Sequence, residues 1–161
     1  MVLFEFILDP MMNRKIIHIL EMVVELLLLI MILYFTYSRC TIQHRDKIEQ
    51  VFRMLNHISA EAGHHGIDYK IISSETSTIV INKHIIYLVV WDKANQKMFD
   101  DNTIAGAAIH ELAHILCSEY WIGGHGPKFN KMEAKLIKIA TRLGYYDPKI
   151  PQDSNYPCLD S

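Results

Sequence analysis

Between Ile16 and Tyr37 the chain reads IIHILEMVVELLLLIMILYFTY, 22 residues in which His18, Glu21, Glu25 and Thr36 are the polar exceptions. That length matches the roughly 20 residues that cross a bilayer core as a helix. Arg14 and Lys15 precede the run, and Arg39, Arg45 and Lys47 follow it. Tyr34 and Tyr37 sit at one end, where amphipathic rings favour the membrane interface. Glu21 and Glu25 would each cost about 2–3 kcal/mol if ionised at depth, but they lie near one surface and share a helix face. The ten apolar residues from Leu26 to Phe35 exceed what a soluble core helix needs. A cleaved signal peptide is disfavoured, because SRCTIQ offers no small-x-small site. The pattern predicts one N-terminal transmembrane anchor over residues 16–37, after a short segment 1–15. The alternative is a buried core helix or an amphipathic partner helix. The greater positive charge after the run favours a single-pass arrangement with the C-terminal domain cytosolic. Cys40, just beyond the span, is placed for acylation, although an unmodified thiol is the ordinary state.

The periodicity changes after residue 45. From Asp46 to Ala62, apolar Ile48, Val51, Phe52, Leu55 and Ile58 mark an amphipathic helix, stopped by Gly63. Runs beginning at Tyr69, Thr78 and Ile85, the last reaching Trp91, are rich in β-branched residues and read as three strands. Asp92 to Asn102 reads as a polar loop. Thr103 or a neighbour caps a helix reaching about Tyr120, and a final helix runs from about Pro127 to Leu143, closed by Gly144. The expected fold is α+β, helix, small sheet, helix, helix, in one domain over residues 45–147 with a surface tail over 148–161.

Composition narrows the picture without deciding it. In 161 residues the net charge is −2, so no overall basic field argues for nucleic acid. Mean hydropathy is +0.10, raised by the N-terminal run. Cys40, Cys117 and Cys158 are an odd set without metal-like or disulfide-like spacing, which fits a reducing compartment.

The chemistry is concentrated in HELAHILCSEYWIGGHGPKF, residues 110–129. On a helix, His110 and His114 project from one side and can offer imidazole nitrogens to a single ion. A catalytic zinc takes three protein ligands and keeps one position for water. His125 is the candidate third ligand: Gly123 and Gly124 permit the reversal after the helix, and Pro127 fixes the junction behind it. Glu111 is then the candidate general base, taking a proton from a zinc-activated water and passing it to the leaving amine. Glu133 is a rival third ligand, and a Cys117 thiolate would instead make the site four-coordinate and structural. The expected activity is a zinc-dependent metalloendopeptidase acting on protein or peptide substrates.

HELAH, GHGPKF and a helix ending in LGYYDP together resemble the WLM and SprT-like zincin metallopeptidases, including the Spartan-like protease domains, over about Asn102 to Asp147. The resemblance implies a small zincin-like domain, zinc held by His110, His114 and His125, and Glu111 as catalytic base. It also implies cleavage of proteins crosslinked to DNA. The membrane anchor and the lack of room for DNA- or ubiquitin-binding modules depart from that pattern.

Other signals are weaker. Lys128, Lys131, Lys135, Lys138 and Arg142 form a basic stripe on the last helix, either a phosphate-contacting face or a solvated one. GHHG at 63–66 reads as a turn whose histidines diverge. Tyr69, Tyr120 and Trp121 are candidate oxyanion donors, with core packing as their default role. A second expectation stands beside the enzyme: a zincin fold that has lost turnover and serves as a structural or assembly protein of a membrane or membrane-bearing, virion-like particle.

Overall fold

A computed structural model describes residues 10–117 and 125–157; Tyr120, Trp121, Gly123, Gly124 and Cys158 lie outside them. The chain divides into two compact units, residues 1–42 and 43–161. Helix α1 runs from Pro10 to Glu61, 52 residues. The two helices expected at 16–37 and 46–62 are therefore one element. The physical reason is that no glycine or proline occurs between Pro10 and Gly63.

In the first unit, α1 exposes its apolar side chains from Ile16 to Tyr37. It is long and apolar enough to cross a membrane, and none of its most apolar window is buried.

The second unit is α+β. The last four turns of α1 bury Val51, Met54, Leu55 and Ile58, one stripe at helical spacing. Gly63 ends the helix at a φ of 87°. Strands β1 (Lys70–Ser74), β2 (Ile79–Ile81) and β3 (Ile85–Val89) form a sheet in the order β1-β3-β2. β3 is central, parallel to β1 and antiparallel to β2. The β2–β3 turn places Asn82 and Lys83 at φ values of 53° and 57°, and the His84 amide closes it on the Ile81 carbonyl at 3.1 Å. Two successive positive φ angles match the right-handed twist of a tight hairpin.

The third strand ends at Val89 and not at the expected Trp91; Trp91 and Asp92 form β4, which pairs with β5 (Lys97–Met98) in a second, two-stranded sheet within the segment expected as a polar loop. Its turn is organised by Asp92, whose carboxylate accepts from the amides of Ala94 and Asn95 and from the Asn95 side chain. Helix α2 (Asp101–Leu116) is capped by Asp100, three residues before Thr103. The Asp100 carboxylate accepts from both the amide and the hydroxyl of Thr103, at 2.9 and 2.7 Å. The helix stops at Leu116, short of the expected Tyr120, with Cys117 extended as its C-cap.

Helix α3 (Pro127–Arg142) opens with proline in its first turn. It closes as a Schellman motif, the Gly144 amide bonding Thr141 and the Tyr145 amide bonding Ala140. α2 packs on α3 and on strands β2 and β3, around a core that includes Ile86, Leu88, Ile104, Ile109, Leu112 and Leu136. Residues 147–157 lie irregularly on this unit. There the Tyr156 hydroxyl donates to the Val89 carbonyl at 2.7 Å and lies 2.7 Å from Thr78 Oγ1.

Candidate metal centre

α2 is built to lie close to its neighbours. Ala105, Ala107, Ala108 and Ala113 are buried, so the helix approaches the sheet and α3 with little side-chain bulk between. At the half-buried edge of that packing, His110 and His114 project from successive turns. His125 enters from the segment just before α3, held by Gly126 and Pro127, the N-cap and first residue of that helix.

The three imidazoles meet through their Nε2 atoms. The separations are 3.3 Å for His110–His114, 3.1 Å for His110–His125 and 3.3 Å for His114–His125. A tetrahedral ion with bonds of about 2.0–2.1 Å to nitrogen sets its ligand atoms about 3.3–3.4 Å apart. The triangle is thus close to one face of such a tetrahedron. These three histidines could hold a metal ion, and among the described residues they are the group of metal-capable side chains that converges.

Phe129, on the first turn of α3 and 3% exposed, forms the floor beneath the rings. Its centroid lies 4.3 Å from that of His114, 4.5 Å from His125 and 5.1 Å from His110. Its contact with all three rings depends on how α3 crosses α2, which local pattern does not encode.

Glu133, the rival third ligand in the sequence, does not join the triangle. Considered as a third ligand, it lies instead behind His110, its Oε1 2.7 Å from Nδ1, while His125 Nε2 takes the place beside the other two histidines. The hydrogen bond from His110 holds the Glu133 carboxyl below its ordinary range. Partial burial opposes this shift, and the fields of His110, His125 and His114 reinforce it. A small cavity of about 180 Å³ lies beside this pair, bounded by Gly106, Ile137, Tyr146 and Gln152.

Glu111 is fully buried, at 0% exposure, one residue after His110 on α2. Cys117 belongs to the apolar core and is not among the converging ligands, so the thiolate alternative finds no geometry here. The Tyr69 hydroxyl donates to Asn56 at 3.0 Å and its ring packs on Phe52, which commits it to the core. Tyr120 and Trp121 fall outside the described residues. Gly63 and Gly66 both have positive φ, as the GHHG turn requires, and among the described residues its histidines join no metal-capable group. In the basic stripe, Lys135 donates to the Ala62 carbonyl at 2.7 Å and Arg142 pairs with Glu61. Two of its five cations therefore tie α3 to the end of α1.

No protein-family model matches the chain, and no solved structure matches it. Two curated relatives do. Uncharacterized protein 042R of Invertebrate iridescent virus 3 is 37% identical over 90 residues, 56% of this chain and 54% of that protein. Uncharacterized protein 136R of Invertebrate iridescent virus 6 is 32% identical over 114 residues, 70% of this chain and 59% of that protein. The chain thus spans a little over half the length of the viral proteins to which it is similar.

Proposed function

We propose that the chain is a membrane-anchored zinc metallopeptidase of the WLM and SprT-like zincin type, hydrolysing peptide bonds in protein or peptide substrates. The observation that supports it most is the Nε2 triangle of His110, His114 and His125, 3.1–3.3 Å on a side, built on an HExxH helix. Three neutral imidazoles suit zinc among the common divalent ions, and leave one tetrahedral position for chemistry. When bound, zinc supplies Lewis acidity, polarising a carbonyl and lowering the pKa of a water to about 7.

Glu111 supplies the proton transfer. Its carboxylate takes a proton from the attacking water and returns it to the leaving amine. Its burial supports this role: a carboxylate kept fully out of solvent is a costly choice at a helix position that leucine could fill. His110, His114 and His125 hold the ion, and Phe129 fixes their ring planes. The substrate proposed is polypeptide rather than nucleic-acid-bound protein, because Lys135 and Arg142 of the basic stripe are engaged within the fold.

The test is chelator-sensitive cleavage of an unstructured protein such as casein by the purified full chain in detergent, alongside its zinc content. A folded chain that holds no zinc rejects the reading. Residues 16–37 form the proposed single-pass anchor, with the C-terminal domain cytosolic. The chain is accordingly expected to stay with membranes in alkaline carbonate. Its release into the soluble fraction would reject the anchor.

A second reading has one observation in its favour: both relatives are proteins of viruses. It makes the chain a zincin-fold structural protein of a membrane-bearing particle, and it expects zinc without turnover.

A further inference from the structure

We propose that Glu133 is a positioning residue for His110, fixing which of its nitrogens carries the proton and so presenting Nε2 to the metal. The inference rests on the zinc reading and extends it to a residue outside the HExxH–His125 set.

The chemistry follows from the two atoms in contact. An ionised carboxylate has only acceptor sites, so across the 2.7 Å contact the proton sits on His110 Nδ1. A neutral imidazole carries one N–H, and which nitrogen bears it is set by the hydrogen bond the other makes. With Nδ1 protonated, Nε2 has its lone pair in the ring plane and directed at His114 and His125, 3.3 and 3.1 Å away. Carboxylate–histidine pairs of this kind orient the ring and raise its basicity toward a metal.

The placement is reproducible by the fold alone. Glu133 stands one and a half turns into α3, four residues after Phe129, so the two share a helix face. That face sets Phe129 at a steep 68° to the His110 ring, centroids 5.1 Å apart, and Glu133 at the back edge of the same ring. One helix therefore fixes both the plane of His110 and its proton. The pair is half-buried, the side chains 17% and 28% exposed, so solvent competes for the contact only partly.

The experiment uses the full chain in detergent, with Glu133→Ala and Glu133→Gln beside wild type. Zinc affinity is measured by competition with a chromogenic chelator, and the protonation of histidine nitrogens by nitrogen NMR of the metal-free protein at mildly alkaline pH. The His110 signal is identified by its loss in His110→Ala. The expected wild-type signal has Nδ1 protonated. Glu133→Ala should move the proton to Nε2 and weaken zinc binding by about 10–100-fold, with an unchanged melting temperature of the metal-free form. Glu133→Gln, whose amide oxygen still accepts, should keep the Nδ1 tautomer and lose less affinity than alanine. Nε2-protonated His110 in wild type, or a Glu133→Ala affinity within about twofold of wild type, overturns the inference. The NMR result stands apart from the zinc reading: absence of zinc binding in wild type sinks the metal centre, whereas the tautomer reports on Glu133 itself.

Discussion

Glu111→Gln is expected to keep its zinc and lose about 10²–10⁴-fold in peptidase turnover, the range that one general base contributes. The substitution preserves volume at a position with 0% exposure, so no cavity opens in α2. It removes the ability to accept a proton and leaves His110, His114 and His125 untouched. The measurement is initial rate on an unstructured protein substrate with zinc stoichiometry determined on the same sample. Equal rates in the two proteins would remove Glu111 from the mechanism. Full zinc with no activity in either would favour the structural reading.

His125→Ala carries the other large effect. Structural zinc sites with four ligands bind with roughly 10–16 kcal/mol, about 2.5–4 kcal/mol per ligand, so one lost imidazole should weaken binding by about 70- to 900-fold. Most of that range exceeds the roughly 10–100-fold expected when a supporting residue such as Glu133 is changed. The ordering separates a ligand from its support: His125→Ala weakest, Glu133→Ala intermediate, wild type tightest. His125 is half-buried, and the core residues Leu136 and Ile139 hold α3 independently of it. The melting temperature of the metal-free form is therefore the control. Retention of zinc at wild-type affinity would show that the third donor lies elsewhere.

Local signals carried much of the architecture. The α2 and α3 helices, the turn at Gly63 and the three-strand region follow from apolar spacing and turn residues, all readable within about a dozen positions. The α+β class follows from their order. What local spacing could not hold is contact between segments. Glu133 was visible only as an acidic residue at a ligand-like distance in sequence; its pairing with His110 Nδ1 arises where α3 crosses α2. Phe129 beneath the three imidazoles has the same origin. The β4–β5 pair escaped because strands of two residues have no period to detect, and its turn depends on the Asp92 side chain. The parallel pairing of β1 with β3, skipping β2, leaves no mark on any single strand.

The tail contact at Tyr156 has a consequence for synthesis. Its hydroxyl reaches the Val89 carbonyl, while the Pro157 carbonyl accepts from the Thr78 amide at 2.9 Å. Until residue 157 has cleared the ribosome, the amide of Thr78 and the carbonyl of Val89 lack these partners. β3, which holds both neighbouring strands in register, is made early, but the domain is latched shut by almost the last residues described. Translation thus sets the order of events, the ligand-bearing helices emerging before the clasp that steadies the sheet beside them.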